Sequence, residues 1–197
     1  MVEGSHYEPG LLRGVRDGGA FTAAAFPEIT ITAVLPVTAN PTAANFWRLG
    51  RLWSVVLVAN MAGTFVAALL CTFTPVLTPE LKAAMLDIAG QITNHTWMEM
   101  TFRAIASGFL IAAMVWLIPS AEAAQFHVIV IITYLIAAAG FMHIVAGSVE
   151  AFFLVLNGDL GVVPMVTDFF VPVLIGNVIG GTALFALIAY AQVMKEI

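Results

Sequence analysis

The sequence predicts an all-α integral membrane protein, and three observations support this prediction. Of the 197 residues, 61% are hydrophobic and only 10% are charged, whereas a soluble domain is typically about 25% charged. Long apolar runs follow one another along the chain. Two of these runs contain an asparagine three residues before a glycine, at Asn60 and at Asn177. Because an amide in hydrocarbon is costly unless it is hydrogen-bonded, the matching positions indicate a duplicated design of the kind found in transporters.

The apolar runs define the predicted membrane spans, since about 20 residues are needed to cross a bilayer. The spans cover approximately residues 52–73, 102–118, 127–156 and 169–193. A shorter run over 26–37 is predicted to be half of a broken helix that ends at Pro36, or an interfacial segment. Residues 1–25 are polar and unassigned, so residues 26–197 form one predicted transmembrane domain.

Two connecting segments have recognisable sequence patterns. The loop after the first span contains Pro79 followed by mostly apolar residues, which predicts a short surface helix over 79–89. Residues 157–168 are acidic and contain two glycines and Pro164, which predicts a loop.

Composition also limits the partners and the chemistry. The net charge is −5 and the sequence has no basic patch, so nucleic acid is not an expected partner. The single cysteine, Cys71, excludes an internal disulfide. Residues 1–25 show no cleavable signal peptide, so the internal runs are expected to insert the chain as a multi-pass protein in the inner or plasma membrane. We expect no enzyme activity, no cofactor and no metal.

The third run contains ionisable residues. His143 is flanked by Gly140 and Gly147, and glycines weaken a helix and allow it to break. A break would expose N–H groups and the positive end of a half-helix, which favour an anion. We therefore predict that His143 lies at a helix interruption, within reach of Asn177, and faces the protomer interior. The alternative is a histidine that only hydrogen-bonds a neighbouring helix. Glu150 is interpreted as structural, because a carboxylate beside the path would repel an anion.

The fourth run combines an amide with small residues. Gly176 and Gly180 flank Asn177 and are typical of closely packed helices. The Asn177 amide is predicted to donate to His143 or to a passing anion, to bridge the broken helix, or only to join helices. Asn60 has the same interpretations. The spans that contain Asn60 and Asn177 are predicted to be pseudo-symmetric partners, related by an approximate two-fold axis in the membrane plane.

Several motifs, taken in order, resemble those of the formate/nitrite transporter family, the pentameric, aquaporin-like channels for small monovalent anions. The motifs are Gly-Phe-Met-His-Ile-Val-Ala at 140–146, Val-Pro-Val-Leu-Ile-Gly-Asn-Val-Ile-Gly-Gly at 171–181, Arg-Leu-Trp at 51–53 with Ala-Asn-Met-Ala-Gly at 59–63, and Phe-Pro-Glu-Ile-Thr-Ile-Thr-Ala-Val-Leu-Pro-Val at 26–37. The resemblance covers about residues 26–197. It is greatest for a branch with the sequence Thr-Ala-Val-Leu-Pro, here at 32–36.

The resemblance implies a fold of six helices with inverted repeats, in which the second and fifth helices are broken. This chain would hold the end of the second helix and all of the third to sixth. His143 would be the central pore histidine, Asn177 its amide neighbour, and Phe26 part of the constriction. The implied function is transport of formate, nitrite or a similar anion, as the neutral acid or as anion plus proton, by a homo-pentamer when the protein is full-length.

The sequence departs from the family pattern at four places. Pro27 replaces a common Thr, Gly147 and Gly108 replace common asparagines, and Gln91 or Ile92 stands where a Lys is common. Without that Lys the electrostatic funnel for anions is weaker, so the substrate stays open. Since the first helix and half of the second are missing from the pattern, residues 1–197 alone are expected neither to conduct selectively nor to form a well-behaved pentamer. Because these elements are missing from the pattern, residues 1–25 are also predicted to have low order.

Two other functions fit the sequence. One is a membrane anchor subunit of a redox enzyme with His143 as a cofactor ligand, which a Soret band would support. No second histidine lies in the middle of another span, which argues against bis-histidine haem ligation. The other is a non-functional truncated transporter fragment, which the DNA upstream of the first codon would reveal.

Overall fold

Every regular element in the described part of the chain is helical. The computed structural model describes Val37 and residues 40–184. Five helices in chain order, α1 to α5, cover Ala43–Phe73, Pro79–Gly90, Trp97–Leu117, Gln125–Ala138 and Ile144–Asn157. A sixth, α6, is continuous through Val162–Pro164, Met165–Phe170, Val171–Val178 and Ile179–Leu184. Short 3-10 turns occur at Gln91–Asn94, Ile118–Ser120 and Glu122–Ala124. The all-α prediction is confirmed, while the predictions for 1–25 and, apart from Val37, for 26–37 lie outside the described residues.

Three of the described helices are long and apolar enough to cross a membrane. They are Ala43–Phe73, Trp97–Ser120 and Val162–Thr182. The run predicted over 127–156 is instead divided into α4 and α5, which have 14 residues each. At 1.5 Å per residue each half covers about 21 Å, less than the roughly 30 Å of a hydrocarbon core. Crossing the membrane in this region therefore requires both halves.

The helices begin earlier than the apolar pattern predicts, because polar residues cap them. The Thr42 hydroxyl accepts a hydrogen bond from Asn45 N at 3.3 Å, so α1 begins at Ala43 rather than near residue 52. Thr96 and Glu99 form a reciprocal capping box, so α3 begins at Trp97 rather than near residue 102. The predicted surface helix is confirmed as α2, with Pro79 in its first turn.

The loop predicted over 157–168 is shorter than expected. Gly158 takes a left-handed conformation with φ of +86° after α5, and α6 already begins at Val162. Pro164 is tolerated because it lies in the first turn of α6. Further along, Pro172 has no N–H group and would crowd the preceding turn. The chain relieves this crowding with π geometry, in which Val171 N bonds to Val166 O, five residues back.

Glycines bring α3 and α6 into close contact. A Cβ atom on Gly176 would collide with Thr101 O, and one on Gly180 would collide with Ile105 O. On the other side, a Cβ on Gly108 would lie only 2.6 Å from Asn177 O. Gly176 and Gly180 are thus closely packed, as expected, but the partner helix is α3 and not the span over 52–73, which was the predicted partner. The two-fold relation between the spans over 52–73 and 169–193 stays a prediction.

Candidate functional site

The chain breaks between α4 and α5, at residues 139–143. Gly140 has a φ of +63°, which favours glycine over other residues. Phe141 N bonds to Ile136 O at 2.9 Å and Gly140 N to Ala137 O at 3.1 Å. This pair of bonds is the Schellman arrangement that ends a helix at a left-handed glycine. The helix interruption predicted beside His143 is therefore confirmed, and Gly140 is the residue that creates it.

Asn177 fastens the break to two other helices. Its Oδ1 accepts a hydrogen bond from Ile144 N, the first residue of α5, at 2.9 Å. Its Nδ2 lies 2.8 Å from Ala104 O on α3 and 3.1 Å from Met142 O in the break. Of the interpretations open for Asn177, the structure has the one in which the amide bridges the broken helix.

Ser107 completes this network and was missed by sequence reasoning. It is fully buried on α3, and its hydroxyl oxygen lies 3.0 Å from Asn177 Nδ2. The same hydroxyl donates to Met142 O and lies 3.1 Å from Ala104 O. Because both side chains reach Met142 O, the break is held from α3 and from α6. A serine in an apolar helix commonly bonds its own backbone, so its position alone did not distinguish it.

His143 immediately precedes α5 and is half-buried. Its carbonyl accepts a hydrogen bond from Gly147 N at 2.8 Å. Asn177 bonds to the neighbouring Ile144 N–H and not to the imidazole. The imidazole makes no hydrogen bond to another residue of the described part of the chain. Its two nitrogens are therefore left for water or for a ligand at the break.

Arg103 is the charged residue at the break, and it also was not predicted. It projects from α3, and its Nη1 donates to Gly140 O at 3.0 Å. The side chain is half-buried. An arginine inside an apolar span was the available sequence signal. The predicted span over 102–118 leaves Arg103 at its edge, because the apolar pattern places the start of α3 too late.

The other predicted site residues do not join this network. Gly147 stays helical, and the Phe169 ring fills the space beside it, since a Cβ there would lie 2.7 Å from Phe169 Cζ. Glu150 lines a separate cavity of about 90 Å³ with Cys71 and residues of α2. Asn60 lies half-buried on α1 and makes no hydrogen bond to another described residue. Phe26 lies outside the described residues. Within the described ranges, no three His, Cys, Asp or Glu side chains gather to hold a metal.

Comparison with known proteins agrees with this architecture. The chain is 44% identical over 171 residues to "Inner membrane protein YfdC" of Escherichia coli (strain K12), an alignment that covers 87% of this chain and 55% of the relative. The chain thus spans about half the length of the curated relative it matches. The family model described as "Formate/nitrite transporter" matches residues 25–191. This is a family of transporters rather than of enzymes, and the match covers well over half of the sequence, so the chain belongs to the formate/nitrite transporter family.

Proposed function

We propose that this chain forms part of a transmembrane pathway for a small monovalent anion such as formate or nitrite, with His143 at the centre of that pathway. The observation that carries the proposal is the break at 139–143, where the first N–H of α5 is held by Asn177. Helix N-termini leave N–H groups unpaired and carry a partial positive charge. The N-terminal end of such a helix therefore offers an anion a favourable electrostatic environment on that side of the break, without a covalent step.

The residues around the break have separable roles in this proposal. His143 gives a hydrogen bond or a proton to the permeating anion. Gly140 supplies the turn that ends α4, and Gly147 leaves room for Phe169 beside α5. Asn177 positions the first turn of α5. Asn60 lines the pathway beside the segment over 26–37, where Phe26 forms the constriction.

Elementary electrostatics explains how a weak acid can pass such a pathway. A positive field draws the anion into the pore. Loss of water at an apolar constriction raises the pKa of the permeating acid and favours its neutral form. A proton from His143 or from water then lets the species cross as the acid, or as anion plus proton. The direction of net transport follows the gradients of anion and proton.

The family match and the E. coli relative support a proposal for the assembly and the location. The protein is a homo-pentamer of protomers that each contain one pathway, and it lies in the inner membrane, as the name of the E. coli relative says of that protein. Within the family it belongs with the branch that has Thr-Ala-Val-Leu-Pro, here at 32–36.

Flux into proteoliposomes tests the proposal. The 197-residue chain is reconstituted, together with a chimera in which it replaces the matched 171 residues of the E. coli relative. Formate or nitrite uptake is expected to fall about tenfold or more in His143→Ala. The matched control is His127→Ala, which removes an exposed histidine from α4 and is expected to leave uptake unchanged. Uptake that is equal in the two variants, or absent from both preparations, would contradict the proposal.

A further inference from the structure

A broken helix presents two opposite charges at the same place. The N-terminus of α5 carries a partial positive charge of about half an elementary unit, and the C-terminus of α4 an equal negative one. Both ends lie at residues 139–143. For an anion at this position the carbonyl end of α4 cancels much of the attraction of α5. The break by itself is therefore close to neutral, and some further charge must decide which solutes it favours.

Arg103 places a positive charge at the C-terminal end of α4, which is the end of the break that repels an anion. The last turn of α4 contains no basic residue, but Arg103 reaches across from α3 and donates from Nη1 to Gly140 O at 3.0 Å. Gly140 is the left-handed residue just after α4, so the guanidinium lies beside the negative C-terminal end of that helix. A guanidinium has five N–H donors, and the contact with Gly140 O uses one of them.

Glu99, the acidic residue four positions before Arg103, attracts the Arg103 charge, but its carboxylate is solvent-exposed, so water screens this attraction. Glu99 lies one turn earlier on α3, and its carboxylate accepts hydrogen bonds from Thr96 N at 2.7 Å and from the Thr96 hydroxyl at 2.9 Å. In that capping box it compensates the positive N-terminus of α3 itself. Arg103 therefore remains the cation that faces the break.

We infer that Arg103 is a specificity-determining residue, which converts the break from a nearly neutral site into one of about one positive charge and so favours monovalent anions. The inference rests on the proposed function. It also supplies the positive field that the sequence lacks at Gln91 and Ile92, where the family commonly has a lysine. Ile92 is buried in the apolar core, so that position holds no charge.

Two substitutions separate the effect of the Arg103 charge from the effect of its hydrogen bond to Gly140 O. Arg103→Gln keeps a donor for Gly140 O but removes the charge, whereas Arg103→Lys keeps the charge. A unit charge about 10 Å away, at an effective dielectric constant of about 20, changes the affinity for a monovalent anion about tenfold. We expect the formate concentration that gives half-maximal uptake to rise about tenfold in Arg103→Gln and to change little in Arg103→Lys. The matched control is Arg48→Gln, which removes the same charge from the exposed start of α1.

The half-saturating concentration does not depend on the amount of folded protein in the vesicles, so partial misfolding cannot imitate the effect. If Arg103→Gln retains the wild-type half-saturating concentration, the inference is wrong while the proposed function stands. If the wild type shows no uptake, the proposed function is overturned. A second measurement then tests the inference about Arg103 separately. Sodium formate and sodium nitrite should raise the unfolding temperature of the purified wild type and not that of Arg103→Gln, which would support the inference alone. No Arg103-dependent rise would overturn the inference as well.

Discussion

The side chain of Asn177 on α6 makes hydrogen bonds to α3, to the break and to α5, while that of Asn60 on α1 makes none to another described residue. Both asparagines lie in an apolar run, three residues before a glycine. Their environments differ because Asn177 lies beside an interrupted helix whose unpaired backbone groups need partners. The corresponding break predicted for Asn60 is over 26–37, where only Val37 is described.

The glycines beside the two asparagines differ in the same way. Gly180 lies against the backbone of α3, close enough that a Cβ would collide with Ile105 O. A Cβ on Gly63, by contrast, would meet no neighbouring heavy atom of the described residues within 4 Å. An asparagine three residues before a glycine thus allows a close helix contact, and the contact forms only where a neighbouring helix lies against the glycine. The difference between α6 and α1 shows that the repeated pattern predicts which types of contact are possible, but not which helix makes them.

The largest expected difference concerns the two asparagines themselves. Asn177→Ala leaves Ile144 N–H without its partner and weakens the attachment of Met142 O. Each unpaired buried polar group costs about 1–3 kcal/mol, so we expect a loss of about 2–4 kcal/mol. Asn60→Ala is expected to change stability by no more than about 0.5 kcal/mol. Unfolding by SDS titration in mixed micelles measures both.

The opposite result for Asn60 would be equally informative. A loss as large as that of Asn177→Ala would contradict the difference between the two asparagines. It would instead support the duplicated design, because Asn60 would then have to hold a second break. Asn94→Ala serves as a control for loss of an amide, since Asn94 is exposed and bonds only to Gln91 Oε1 at 3.1 Å.

The break could be predicted because three independent signals coincide there. The third apolar run is longer than one span needs, it contains an ionisable residue, and glycines lie on both sides of that residue. The sequence could not tell which glycine would break the helix, since both weaken it equally. Gly140 takes the left-handed conformation, while Gly147 remains helical because the Phe169 ring packs against its bare Cα. That choice depends on α6, which is distant in sequence.

The positions of the helix ends were less predictable, and Arg103 shows the consequence. Apolar patterning recognises the membrane-facing part of a helix and not the polar first turns that precede it. The capping box at Thr96 and Glu99 moves the start of α3 to Trp97, so Arg103 lies well inside the helix instead of at its edge. Residues of the site that lie in such extensions are missed for this reason. The early start of α6 at Val162 has another cause, because no side chain caps it and its apolar first turn was predicted to be a loop from the nearby glycines and Pro164.

A smaller difference is expected for the glycines. Gly180→Ala forces α6 away from Ile105 O, and overpacking of this kind costs about 1–3 kcal/mol. Gly63→Ala meets open space and is expected to stabilise α1 by up to about 1 kcal/mol, because alanine has the higher helix propensity. Thermal unfolding of the two variants in the same detergent compares them directly. If both substitutions shift stability in the same direction, close packing of α3 on α6 is not what distinguishes these glycines.

The smallest effect separates the contribution of Ser107 from that of Asn177. In Ser107→Ala the carbonyl of Met142 still has Asn177 Nδ2 at 3.1 Å, so the loss is expected to be only about 1 kcal/mol. In the Asn177→Ala background the same substitution removes the remaining side-chain donor to Met142 O and should cost more. A double-mutant cycle is therefore expected to give a coupling energy of about 0.5–2 kcal/mol. Thr64→Ala, whose hydroxyl bonds only to Met61 O within α1, is the matched control and should show no coupling to Asn177→Ala. Additive losses for Ser107→Ala and Asn177→Ala would mean that the two side chains hold the break independently.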